Sequence, residues 1–172
     1  MMGQVWEHFI KRKVDHCVLR PSWFMENLSD GFIQTTVRDQ GKIFTACGDG
    51  RIPFISAIDI AAMAFRALTD SKPPNCDYRV LGPELLTYDQ IAEKLSALLG
   101  RKIEHVKLTG EQRFEVLIGA GVPDHMAHFL TGIETATASG SETRMNNEVA
   151  KVTKRAPRDF NLFAQENLAA WL

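Results

Sequence analysis

The sequence contains no G-x-G-x-x-G, the turn whose glycines let a backbone close on a dinucleotide pyrophosphate at a helix N-terminus. Gly48-Asp49-Gly50 lacks the third glycine and stands between two extended runs. Gly119-Ala120-Gly121 follows a helical pattern instead of a strand, so both read as turns. A P-loop and a G-x-S-x-G nucleophile elbow are missing as well. Only two tyrosines occur, and neither has a lysine four residues on: Gly82 stands there after Tyr78, and Ala92 after Tyr88. The tyrosine–lysine pair that serves proton transfer in many carbonyl reductases, the lysine lowering the phenol pKa, is therefore not encoded, and no catalytic side chain is assigned.

Cysteine is scarce. Cys17, Cys47 and Cys76 are odd in number and too widely spaced for a zinc motif, which fits reduced thiols better than a disulfide framework. Charge of one sign is also lacking: 20 basic residues against 21 acidic ones leave a formal charge of −1, so nucleic acid is not an expected partner. No run approaches the roughly 18 apolar residues that cross a bilayer, and the opening MMGQVWEHFIKRK is amphipathic with no signal-peptide core. No membrane association and a cytoplasmic location are expected. His125 and His128 are three apart on a helical stretch, but a third ligand is not evident, so an ordinary polar helix surface and no metal are expected. His8, His16 and His105 are isolated and read as structural or solvent-facing.

What is present fits a single α/β domain over residues 1–172, with 45% apolar and 24% charged residues. Val5, Trp6, Phe9 and Ile10 recur at helical spacing. Val14 to Arg20 is a short, branched, apolar run stopped by Pro21, which predicts a buried strand in a parallel sheet. Lys42 to Ala46 and Arg51 to Ile55 flank the Gly48–Gly50 turn and predict a hairpin. Ser56 with Asp59, Thr87 with Gln90 and Thr109 with Gln112 are capping-box patterns that start helices. Gly100 suits the left-handed end of the second of these. Tyr78 to Leu81 and Lys102 to Leu108 are further strands. Helical patterns fill Glu111 to Gly140, with a break at Gly119 to Pro123, then Asn146 to Lys154, and then a closing helix with Phe160, Phe163, Ala164, Leu168 and Trp171 on one face. The order is that of an α/β protein with a helical cap.

The most informative stretch is Leu19-Arg20-Pro21-Ser22-Trp23-Phe24-Met25-Glu26-Asn27. It places large flat side chains and a few polar groups just past a strand, where open α/β sheets bind their ligands; a packed strand-to-helix joint is the plainer reading.

LRPSWFMEN, GDGRIPFISAIDIAAMAFRAL, LGPELLTYDQIAEKLSALLGRKIEHVKLT and VTKRAPRDFNLFAQEN together resemble the C-terminal half of NmrA-like, atypical short-chain dehydrogenases, and within them the fungal ergot-alkaloid dehydrogenases. The resemblance implies the C-terminal part of a Rossmann-like parallel sheet with a helical substrate-side cap, the dinucleotide-binding half being absent. It implies an NADPH-dependent reductase that delivers hydride to a cyclic iminium derived from chanoclavine aldehyde. By matching position, Pro21, Ser22, Trp23 and Phe24 would lie near the nicotinamide. Phe24, Met25, Asn27, Phe129 and parts of Phe114 to Leu130 would border an alkaloid substrate. Asp59 is expected to start a helix. A sheet edge left open would lead to self-association or to a complementing partner. A non-catalytic NmrA-like module that senses dinucleotide or binds a protein, or an inactive remnant, is the alternative.

Overall fold

The computed structural model describes residues 2–72 and 74–172. It begins with α1 (Met2–Arg12) and β1 (Cys17–Pro21), then a 3-10 turn at Met25–Leu28, α2 (Gly31–Gln40), β2 (Lys42–Thr45) and α3 (Ala57–Thr69). β3 (Cys76–Val80), α4 (Tyr88–Leu99), β4 (Glu104–Lys107), α5 (Gly110–Gly119) and α6 (Asp124–Ala138) follow. α7 (Glu148–Thr153), α8 (Phe160–Glu166) and a 3-10 turn at Leu168–Trp171 complete the order.

β1 runs parallel to β3 with Leu19 opposite Tyr78, so the strand expected between Val14 and Arg20 is a member of a parallel pair, but it starts at Cys17 and is half-buried to exposed, not buried as expected, because β3 covers one edge alone among the described residues. β2 and β4 form a second parallel pair with Phe44 opposite Val106. The expected hairpin is not formed: β2 pairs with β4, and residues 51–55 run as an irregular strap. Ile52 exchanges both backbone hydrogen bonds with Leu86, at 2.9 and 3.0 Å. Ile55 N donates to Trp23 O at 2.9 Å, and Met25 N donates to Ile55 O at 2.9 Å. The backbone groups that a hairpin would have paired locally thus tie the loop after β1 to the loop after β3, and Ile52, Phe54 and Ile55 turn inward. α2 was not expected either. Asp30 caps it by accepting from Gly31 N, and Gly41 closes it at φ +66°. Its Thr35, Thr36 and Val37 carry little intrinsic helix preference, so packing decides it, with Val37 fully buried.

The main core gathers Met25 and Leu28 of the 3-10 turn, Ile43 of β2, Phe54 of the 51–55 strap, Tyr88 and Ile91 of α4, and Phe160 and Trp171 of the C-terminal helices. Each such side chain contributes about 1.5–3 kcal/mol by leaving water. A smaller cluster of Ile55, Met63, Val80 and Val149 fixes α3 and α7 against the β1–β3 pair. The capping boxes at Thr87/Gln90 and Thr109/Gln112 are both closed. Asp59 lies in the first turn of α3 as expected, but its carboxylate accepts from Arg158 N at 2.8 Å and fastens the segment before α8 to the start of α3.

Candidate functional site

Pro21 ends β1 because it has no N–H to offer, and Ser22 N reaches Val80 O at 3.1 Å before the chain leaves the sheet. The 3-10 turn then divides the following side chains. Met25 and Leu28 point into the core and are 0% exposed, while Trp23, Phe24 and Asn27 face outward into a groove of about 420 Å³. The opposite wall is α6, whose Leu130, Ile133 and Glu134 share one helical face, and Glu142 closes the mouth from the turn beyond it. Ser22 Oγ donates to Glu142 Oε2 at 3.2 Å and joins the two walls. The strand side is stiffened from below. Trp23 stands edge-on to Tyr88 with centroids 6.5 Å apart, and Tyr88 in turn meets Phe54 edge-on at 5.5 Å.

The α6 wall is anchored by charge. Arg113 Nε donates to both carboxylate oxygens of Glu134 at 2.9 Å, Nη2 lies 2.8 Å from Oε1, and Ala46 N donates to Oε2 at 2.7 Å. Glu26, next to the groove residues in sequence, is used structurally, accepting from Ser56 Oγ at 3.0 Å and Ala57 N at 2.9 Å at the start of α3. The two carboxyl groups that line the groove are already engaged, Glu134 by Arg113 and Glu142 by the Ser22 hydroxyl. Burial holds the Tyr88 phenol well above its usual range. Burial, helped by the Glu134 charge, likewise pushes the Cys47 thiol up to about 12.

Of the residues singled out in the sequence, Pro21, Ser22, Trp23, Phe24 and Asn27 come together in this groove. Two do not. Met25 is a core residue because the 3-10 turn faces it inward. Phe129 is 61% exposed on α6, rotated about 100° from Leu130 and off the groove face. Phe114 stacks on His128 at 4.3 Å instead of lining the groove. His125 and His128 lie on the exposed face of α6, and among the described residues no group of three or more His, Cys, Asp or Glu side chains is placed to hold a metal. Sequence reasoning missed Ile133, Glu134 and Glu142. A signal existed for Glu134, the one acid in the run Leu130 to Ala138, where a lone charge among small and apolar residues announces a buried pair.

A second cleft, of about 350 Å³, lies between Asp15, His16, Cys17 and Leu19 and the Ala64, Ala67 and Leu68 face of α3. It opens at the N-terminal end of β1, the wrong end for a ligand in a parallel sheet, so the groove beyond Pro21 is the candidate site. The Gly48–Gly50 turn is not a phosphate cradle, because a Cβ on Gly50 would stand 2.3 Å from Thr137 O; the turn is filled by α6.

Parallel strands flanked by helices, with an aromatic groove beyond their carboxyl ends, define a Rossmann-like α/β fold. The fold matches the triphenylmethane reductase of a Citrobacter species complexed with NADP(H), with a TM-score of 0.79 and 22% identity over 92% of this chain and 56% of that one. It also matches the NADPH-dependent quinone oxidoreductase of Escherichia coli complexed with NADPH, with a TM-score of 0.84 and 20% identity over 94% of this chain and 56% of that one.

In sequence the chain is similar to particular fungal enzymes. It is 45% identical over 161 residues to festuclavine dehydrogenase of Aspergillus fumigatus and 44% identical over 161 residues to agroclavine dehydrogenase of Claviceps fusiformis, in each case over 92% of this chain and 56% of the relative. It is 41% identical over 172 residues to festuclavine synthase II of Penicillium roqueforti, over 99% of this chain and 60% of the relative. The resemblance read from the sequence segments is borne out by these relatives. The chain spans about 56–60% of the length of the curated relatives it matches. No family model matches it. No helix among the described residues is long and apolar enough to cross a membrane.

Proposed function

We propose that the chain is the substrate-side portion of an NADPH-dependent oxidoreductase of ergot-alkaloid type, whose reaction is hydride addition to a cyclic iminium ion. The observation that supports this best is the 41–45% identity with festuclavine and agroclavine enzymes across 92–99% of the chain. The groove suits the nicotinamide end of the cofactor: it offers aromatic faces at Trp23 and Phe24 and a hydroxyl at Ser22, and it lies beyond the carboxyl end of a parallel strand. Pro21, Ser22, Trp23 and Phe24 would hold that end, while Phe24, Asn27 and Leu130 would border the substrate. NADPH, when bound, supplies the hydride. Addition of hydride to an iminium carbon gives a neutral amine directly, so no side chain has to donate a proton. The sealed Tyr88 and Cys47 are consistent with that chemistry. What falls to the protein is orientation of two flat rings and exclusion of water.

These 172 residues alone are expected to bind NADPH weakly. Most dinucleotide affinity in such folds comes from a glycine-rich turn at a helix N-terminus, and the chain carries no G-x-G-x-x-G. Stacking at the nicotinamide end does not offset the roughly 4–15 kcal/mol that association costs. Accordingly, co-expression with the part of a festuclavine dehydrogenase that lies outside the matched stretch should restore oxidation of NADPH in the presence of the iminium. A complemented, folded protein that binds NADPH but leaves the iminium unreduced would overturn the reductase reading. Low-micromolar NADPH binding by the chain alone would overturn the half-site reading.

A further inference from the structure

We propose that Glu142 is a specificity residue that selects a flat organic cation for the groove. The inference deepens the reductase reading and rests on it for taking the groove as the substrate site. Six features carry the argument: the aromatic faces of Trp23 and Phe24, the apolar Leu130 and Ile133, and the carboxylates of Glu134 and Glu142, with no lysine, arginine or histidine among the lining residues. Phe24 remains 37% exposed, so an aromatic face is held open toward the groove. A planar, weakly hydrated cation gains from both elements, because it lies against ring faces that attract positive charge and close to a carboxylate in a partly dehydrated space.

The two carboxylates are not equivalent. The charge of Glu134 is neutralised by Arg113, whose guanidinium is buried with it, so Glu134 contributes shape and little net potential. Glu142 has no ion-pair partner within 4.0 Å among the described residues, and one of its oxygens is oriented by the Ser22 hydroxyl. Arginines 20, 79 and 144 do lie near it, but they line a separate cleft of about 240 Å³ that shares only Pro21, Ser22 and Glu142 with the groove. Arg20 is already opposed by Asp77 at 2.9 Å. Glu142 is therefore the boundary between a cationic cleft and a groove with no cation of its own, and it gives the groove its sign.

The test is binding, which needs no turnover. The chain is titrated with N-methylquinolinium and with its neutral isostere 1-methylnaphthalene, by calorimetry and by quenching of tryptophan emission. The cation should bind at least about tenfold tighter than the isostere, a preference that weakens with added salt. Glu142→Gln should abolish the preference, Glu142→Asp should retain part of it, and Arg144→Gln should keep it. Glu142 is half-buried on an otherwise exposed turn, and circular dichroism and thermal melting verify that each variant is folded. A preference unchanged in the folded Glu142→Gln protein, or equal binding of cation and isostere by the parent, overturns the proposal. The two readings separate cleanly. A Glu142-dependent cation preference in a complemented protein that never oxidises NADPH would sink the reductase reading and support this one. Iminium reduction with KM unaffected by Glu142→Gln would do the reverse.

Discussion

Arg113 and Glu134 face each other across the α5–α6 contact with both side chains nearly sealed from water, 7% and 6% exposed, and a further bond from Ala46 N completes the carboxylate. Removing one member strands a buried charge. Arg113→Met should lower the unfolding free energy by about 3–5 kcal/mol. Replacing both, as Arg113→Met with Glu134→Leu, should recover most of that loss, the more so because Arg113 Nη1 has no partner in its buried position. Urea denaturation of the two proteins checks this; a single variant costing under about 1 kcal/mol would contradict the pairing argument.

Trp23 belongs to the groove more than to the core. Its ring is half-buried at the margin of the main core, with Tyr88 edge-on behind it. Trp23→Ala in a full-length relative, at the position matching this one, should lower kcat/KM by at least about tenfold while costing less stability than the roughly 3–5 kcal/mol of a core aromatic truncation. Unchanged kinetics in a folded variant would assign Trp23 to packing alone.

His105 gives the fold a pH dependence. Its Nδ1 is 2.8 Å from Asp89 Oδ1 and its Nε2 is 2.8 Å from Thr45 Oγ1. Burial lowers its pKa below the ordinary 6.5, and the Asp89 hydrogen bond and charge oppose this only in part. Asp89 itself is held low because hydrogen bonds from Lys107 and His105 outweigh its burial. A depressed histidine pKa means that below 6.5 the unfolded chain takes a proton the folded chain resists. Its contribution is therefore complete above 6.5 and is lost as pH falls through the folded value. Melting temperature should decline over that window, and His105→Gln should flatten the decline; a slope identical in both proteins would refute the assignment.

Among the described residues β1 pairs only with β3 and packs against α3, while Phe9 and Ile10 of α1 and Phe65 and Leu68 of α3 are exposed. A parallel strand with one edge open, in a chain that exposes apolar side chains, invites another chain. The isolated protein is expected to self-associate, seen as a mass above 19.3 kDa by light scattering. A clean monomer at high concentration would count against this, and co-expression with the complementing portion of a relative should suppress the association.

Much of the local structure was legible because its causes are local. The Thr87/Gln90 and Thr109/Gln112 boxes, Gly100 in the left-handed region and Pro21 at the end of β1 each act over a few residues. The failures share one origin. Lys42–Thr45 has its partner 62 residues later, at Glu104–Lys107, and a nearby glycine turn suggested a hairpin that only tertiary pairing rules out. α2 lacks propensity and is held by burial. In the site, the SWF segment was readable from its place after a strand, whereas Ile133 and Glu134 required knowing which face of α6 turns toward it. Glu142 sits 120 residues from the Ser22 that orients it, a separation no motif spans.

The indole of Trp171, nearly the last residue, is buried under the 3-10 turn of the groove, where Nε1 donates to Leu28 O at 2.8 Å; Arg101 Nη2 reaches Trp171 O and Gln34 reaches Ala170 O. During synthesis, then, the platform carrying Trp23 and Phe24 has no floor until residue 171 has cleared the ribosomal exit tunnel. Earlier contacts can form on the nascent chain, but the binding surface is completed only once the Leu168–Trp171 turn is in place, so a chain cut just before that turn would carry every groove residue on a platform without its floor.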